Sequence, residues 1–157
     1  MNLPDLKILR ALQQDASRSI ADLAEVVSLS SNAVWKRLRR LEAEGYVERR
    51  VAVLDRRKLG LPVTVFVSVR TDQHSQRWAE EFAAAVGEVE EVVEFYRMAG
   101  DVDYLLKIVC ADIDDYDRIY RKIIAAVPLR DVSASFAMEQ LKYTTELPLS
   151  RIGERRS

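Results

Sequence analysis

Residues 19–45 read SIADLAEVVSLSSNAVWKRLRRLEAEG, and the spacing within this stretch decides the fold of the first third of the chain. Ser19 is followed three residues later by Asp22, which makes a capping box with Asp in place of Glu. Leu23, Val26 and Val27 then supply the apolar positions of a short helix that stops near Ser28. A further helix begins at Ser30 or Ser31 and carries Val34, Leu38 and Leu41 on one face, and Gly45 closes it as a C-terminal cap. Only Ser28-Leu29-Ser30 lies between the two. Upstream, Ile8, Leu9 and Leu12 recur at helical spacing, with Asn2 or Asp5 available as a cap. Pro4 suits the first turn, which has no use for its missing N–H. The polar run Gln13-Gln14-Asp15 ends this first helix near Ala16. Three helices with a tight turn between the last two describe a helix-turn-helix.

Downstream the period changes. From Tyr46 to Leu54 it is two, with Val47, Val51 and Val53 alternating with charged or small residues, as in a wing or a tether. The charged stretch Asp55 to Pro62, with Gly60 and Pro62, marks a boundary. Beyond it, Val63, Val65, Val67 and Val69 form one face of a strand. Ser75 caps a helix bearing Trp78, Phe82 and Val86. Strands follow at about Val92 to Met98 and Tyr104 to Cys110, joined through Ala99-Gly100-Asp101. Asp112 or Asp114 caps a helix with Tyr116, Ile119, Tyr120, Ile123 and Val127 on its apolar side, and a last strand spans about Val132 to Met138. The order βαββαβ is that of the ferredoxin-like fold. The expected architecture is therefore α+β: a three-helix winged helix-turn-helix domain (1–55), a linker (56–62), a ferredoxin-like domain (63–148) and a tail (149–157). Helices cover one face of such a sheet, and the bare face calls for a partner, so a homodimer is expected.

Composition narrows the function. The formal net charge of −1 hides a split: residues 1–60 hold twelve Lys/Arg against eight Asp/Glu, and the remainder twelve against seventeen. A basic front half suggests a nucleic-acid contact confined to it, although a chain so rich in charge can split this way by chance. One Cys (Cys110) and one His (His74) exclude a disulfide framework and argue against a metal centre or a Cys/His nucleophile. No apolar run approaches the roughly 20 residues needed to cross a bilayer, and no basic start precedes an apolar core, so a cytoplasmic protein without membrane contact is expected.

The candidate DNA contacts lie on the third helix, where Lys36, Arg37, Arg39 and Arg40 place four cations in five positions. Recognition helices read bases with their N-terminal residues and hold phosphates with basic ones. Ser30, Ser31, Asn32, Trp35 and Lys36 are thus candidates for the base-reading end, and Arg37, Arg39 and Arg40 for phosphate contacts. Two plainer readings stand beside these. The basic face can be merely solvated, with Arg37 and Arg40 paired to Glu42 or Glu44, and Trp35 can pack against the wing or a partner subunit.

The chain resembles the leucine-responsive and asparagine-responsive (Lrp/AsnC) transcriptional regulators from about Asn2 to Pro148. The likeness is carried by Ile8-Leu9, Asp22-Leu23-Ala24, Leu29-Ser30 with Ala33-Val34, Arg37-Leu38 with Arg40-Leu41-Glu42, and Gly45-Tyr46-Val47. In the second half it rests on Leu59-Gly60, the run Ala99 to Leu106, and Val132 through Lys142. The family's opening often has two aspartates three residues apart, and here the first is Asn2, which caps about as well. The resemblance implies a DNA-binding regulator, a free amino acid as effector, and dimers assembling to an octamer. It places the effector in a cleft between subunits, at the loop Met98, Ala99, Gly100, Asp101, Val102, Asp103 and Tyr104, and matches Ser133 and Ser135 to positions that contact it. The residues suit that ligand: Gly100 permits close approach to the backbone, loop N–H groups can bind a carboxylate, and Asp101 or Asp103 an ammonium group. A hairpin turn serving only backbone geometry is the alternative. Trp35 to Leu38, Tyr96 to Gly100 and Lys142 to Thr145 resemble a branch with a cysteine-responsive regulator and regulators of proline and branched-chain amino-acid catabolism. This implies cysteine first, then a branched-chain amino acid or proline.

Other residues carry less. Cys110 alternates with Tyr104, Leu106 and Ile108 and reads as a small core residue, and His74 lies in a polar loop. Glu88, Glu90, Glu91 and Glu94 read as a solvated edge rather than a metal site. No Gly-rich phosphate loop, triad or metal-spaced cluster is present, so neither an enzyme nor a bound cofactor is expected. The expected function is a sequence-specific, effector-modulated regulator of amino-acid metabolism. The alternative is an amino-acid-sensing architectural protein that binds duplex DNA with low specificity.

Overall fold

A computed structural model describes residues 1–73, 75–126, 128–150 and 152. His74, Val127 and the last five residues of the tail fall outside them, as does Arg151. The chain forms two compact units, Met1–Val53 with Lys142–Ser157, and Leu54–Leu141.

In the first unit, helix α1 spans Leu3–Gln14, α2 Ile20–Val27 and α3 Ser31–Ala43. Each start is capped as its residues dictate. Asn2 and Asp5 form one reciprocal capping box, Ser19 and Asp22 another, and the Ser30 hydroxyl accepts the Ala33 N–H. Ser28 turns the chain between α2 and α3 in the left-handed region at φ 54°, which lets two helices pack closely across three residues. At the end of α3, Gly45 (φ 76°) lets the Gly45 N–H reach the Glu42 carbonyl and the Tyr46 N–H reach that of Leu41. This is a Schellman closure, which satisfies carbonyls the helix leaves open. Ile8, Leu12, Leu23, Val27, Val34, Leu38 and Leu41 bury one common core.

Two details differ from the sequence reading. Tyr46 to Leu54 forms no strand, and Val51, Val53 and Leu54 are exposed. Alternation alone does not hold a strand; it needs a neighbour for its backbone groups. The stretch from Lys142 groups with the first unit instead of the sheet domain. There the Gln13 side-chain amide donates to the Leu147 carbonyl and its oxygen accepts the Leu147 N–H, both at 3.1 Å, while Leu149 is buried.

The second unit runs β1 (Val63–Arg70), α4 (Gln76–Gly87), β2 (Val92–Arg97), β3 (Tyr104–Cys110), α5 (Ile113–Ala126) and β4 (Asp131–Phe136). The sheet order is β2-β3-β1-β4 with antiparallel neighbours throughout, the ferredoxin-like arrangement. Val65, Val67 and Val69 stand opposite Ile108, Leu106 and Tyr104, and all six are buried. They meet Trp78, Phe82 and Val86 of α4 and Tyr116, Ile119 and Ile123 of α5. Phe82 anchors the aromatic packing, with its ring 5.1 Å from Trp78, 5.2 Å from Tyr104 and 5.5 Å from Phe95. Cys110 lies in this core. The other sheet face is mixed: Phe66 and Leu105 stand beside Ser68, Ser133, Ser135 and a Glu94–Lys107 pair at 2.6 Å.

Candidate nucleic-acid interface and effector loop

The pitch of α3 sorts its polar side chains. Val34, Leu38 and Leu41 point inward, so at 100° per residue Asn32, Lys36 and Arg39 lie on the opposite side, with Trp35 at one flank. All four are exposed. Trp35 is 48 % exposed and carries the Arg39 guanidinium 5.8 Å from its ring centroid, a cation–π contact that prearranges both side chains on the surface. Within the first unit Trp35 is therefore not core. Ser30 and Ser31 stand at the helix start, where the open N–H groups favour anions.

Arg37 and Arg40 turn elsewhere. Both reach Asp5 of α1, whose side chain is only 1 % exposed: Arg37 at 2.9 Å to Oδ1 and Arg40 at 2.7 Å to Oδ2. Oδ2 also accepts the Asn2 N–H at 3.0 Å, and Arg37 donates to the Asn2 side chain at 3.2 Å. Burial alone raises the Asp5 pKa, but the bonds from Asn2, Arg37 and Arg40 outweigh it and hold the carboxyl below its ordinary value. Glu44 approaches Arg40 only to 3.9 Å, and Glu42 bonds Arg50 at 2.8 Å. The inward position of Asp5 is legible in the sequence. Asp5, Ile8 and Leu12 share helical spacing, so a carboxylate placed there must find a cation as the helix packs.

In the second unit, Met98 to Asp103 forms the β2–β3 connection, and Tyr104 opens β3. The Met98 N–H meets the Asp103 carbonyl at 2.8 Å and the Asp103 N–H meets that of Val69 at 3.0 Å. The Asp103 carboxylate accepts the Thr71 N–H at 2.9 Å, so one of its oxygens is already committed. Gly100 adopts φ 129°, a conformation open to glycine, and a Cβ there would meet nothing within 4 Å. Ala99, Gly100 and Asp101 are exposed. Arg70 escaped the sequence reading; it donates to the Asp101 carbonyl at 2.8 Å and pairs with Asp131 of β4 at 3.5 Å.

Beside this loop lies a cavity of about 500 Å³, lined by Met98, Asp103 and Tyr104 together with Thr71, Gln76, Glu80 and Arg97. Arg97 can meet a carboxylate, and Glu80 or the open oxygen of Asp103 an ammonium group. Ala99, Gly100, Asp101 and Val102 do not line it, and neither do Ser133 and Ser135, which stand on β4, separated from β3 by β1. The two serines and the loop therefore share no lining in this cavity. Among the described residues no His/Cys/Asp/Glu group is arranged to hold a metal ion, and no helix is long and apolar enough to cross a membrane.

Two families match the chain: Lrp/AsnC ligand binding domain over residues 64–147 and Winged helix-turn-helix DNA-binding over residues 1–48. The glutamate uptake regulatory protein of Zymomonas mobilis is 51 % identical over 96 % of this chain and 92 % of its own length. An AsnC family transcriptional regulator from Agrobacterium tumefaciens superposes with TM-score 0.94 at 53 % identity, covering 97 % of this chain and 99 % of that one. A transcriptional regulator from Neisseria meningitidis in complex with L-Met superposes with TM-score 0.92 at 29 % identity, covering 97 % and 99 %.

Proposed function

This chain belongs to the Lrp/AsnC family of DNA-binding transcriptional regulators, which are not enzymes, and from that premise we propose that it reads specific operators through α3 and adjusts its grip to a free amino acid. The observation that carries the first half is the outward strip Asn32, Trp35, Lys36 and Arg39 at the end of a two-helix turn. Asn32 lies toward the helix start, where bases are reached, and the cations Lys36 and Arg39 follow it, where phosphates pass.

The second half rests on the cavity at the β2–β3 loop, whose Arg97, Glu80 and Asp103 match the two charged ends of an amino acid. The L-Met complex of the Neisseria relative supports an amino-acid ligand for this domain type. Cysteine, a branched-chain amino acid or proline are the effectors we propose for this chain, in the cytoplasm, in control of amino-acid metabolism. Ser133 and Ser135 would join the Gly100–Tyr104 loop from a neighbouring subunit, in a homodimer that assembles further to an octamer.

Two measurements test this. Selection of duplexes from a random pool, followed by binding at several salt concentrations, should return one consensus bound at least about a thousandfold tighter than random DNA. Asn32→Ala or Lys36→Ala should shift that consensus. A ratio near one identifies a low-specificity architectural protein instead. Calorimetry with each of the twenty amino acids should give heat for at least one, and silence from all twenty removes the effector half.

A further inference from the structure

We infer that Asp5 divides the four cations of α3 into two that hold the reader together and two that meet DNA, and thereby sets how steeply DNA binding responds to salt. The inference rests on α3 being the DNA-contacting helix. Asp5 lies on α1, outside that helix, yet its buried carboxylate engages Arg37 and Arg40 at 2.9 and 2.7 Å. The aspartate is fixed on its own side by the capping box with Asn2. An arginine that swung from Asp5 to a phosphate would take from the buried carboxylate one of the two cations that offset its desolvation, which holds both back from the duplex. The pairs therefore persist in the complex, and neither Arg37 nor Arg40 is left to make a phosphate contact of its own.

Lys36 and Arg39 are placed differently. Arg39 is 68 % exposed, with Glu42 no nearer than 3.9 Å, and Lys36 is exposed on the same face. Their charges are available to displace condensed counterions from the duplex, the process that fixes the salt dependence of binding. Asp5 is thus a positioning residue. It sets the seat of α3 against α1 and fixes which side chains of that helix carry charge to the phosphates.

The test is the slope of log affinity against log salt for the full-length protein on a random-sequence duplex. Lys36→Gln and Arg39→Gln should each flatten the slope by about 0.9 for every reader bound. Arg37→Gln and Arg40→Gln should leave the slope at its wild-type value while lowering the thermal midpoint. Asp5→Asn, which frees both arginines, should steepen the slope by roughly 0.9 to 1.8 per reader. A loss of slope at Arg37 or Arg40 equal to that at Lys36 overturns the division, as does an Asp5→Asn slope that stays unchanged. If none of the four cation variants moves the slope, the assignment of α3 fails and the inference falls with it. Lys36 and Arg39 are solvent-facing, so their variants fold and decide the matter even if Asp5→Asn is too unstable to assay.

Discussion

Asp5→Ala should destabilise the reader unit. The wild-type carboxylate accepts the Asn2 N–H at 3.0 Å, Arg37 at 2.9 Å and Arg40 at 2.7 Å. Losing the capping box costs about 1 kcal/mol. Each bond to a charged group is worth roughly 1.5–3 kcal/mol when buried. The Arg37 side chain is 29 % exposed and should deliver most of that, whereas Arg40 at 47 % is screened by water and delivers little. The sum is about 3 kcal/mol, which in a domain this small corresponds to a fall in Tm of roughly 12 °C or more. Fluorescence can report it selectively, because Trp35 belongs to the first unit and Trp78 to the second. In a Trp78→Phe background Trp35 is the one tryptophan, and denaturant titration followed by its emission then reports the reader. Arg37→Ala should cost more than Arg40→Ala, and each should couple to Asp5→Ala in a double-mutant cycle by at least about 1 kcal/mol. A Tm change under about 2 °C for Asp5→Ala, or additive singles, would refute the claim that this carboxylate locks α1 to α3.

Further outcomes follow from the same structure. Asp5 has its carboxyl held below the ordinary value, so its ionised form is favoured by folding, and its contribution is complete above about pH 4 and lost as pH falls further. Acid titration of Asp5→Asn should lose that part of the pH dependence, and an acid limb identical to wild type would contradict the pairing. Gly100→Val should strain the loop by about 1–3 kcal/mol, because a β-branched residue does not adopt φ 129°, although no clash opposes its Cβ. Amino-acid affinity in calorimetry should fall by about 5- to 150-fold while DNA affinity without effector stays put, and an undiminished affinity would show that the Gly100 conformation does not shape the site. Burial, with smaller effects from Asp115, Asp112 and Glu91, pushes the Cys110 thiol up. An aromatic disulfide reagent should therefore label Cys110 only as the domain unfolds, and labelling at the same rate with and without denaturant would show that it is accessible.

The reader was legible in the sequence because its signals are local. Ser19 with Asp22, Ser30, and Gly45 act within four residues of themselves, so capping and turn chemistry fix helix ends wherever the rest of the chain goes. The valines at 63, 65, 67 and 69, and the tyrosine and isoleucines of 116–123, likewise fixed which faces turn inward, since a side-chain period can be matched by only one kind of element. Four cations within five positions of α3 were equally plain. What those cations do was not. Only the packing of α1 on α3 spends Arg37 and Arg40 on Asp5, and nothing within either helix's own stretch specifies a partner more than thirty residues away. The same holds for Arg70 between the Asp101 carbonyl and Asp131, for the cavity that adds Glu80 and Arg97 to the loop, and for Gln13 on Leu147. Tyr46 to Leu54 failed in the other direction, with strand-like alternation and no neighbouring strand to bond. Periodicity declares which side of an element is apolar; the charge or backbone that meets its polar side is chosen by the tertiary fold, because that choice depends on distance in space rather than along the chain.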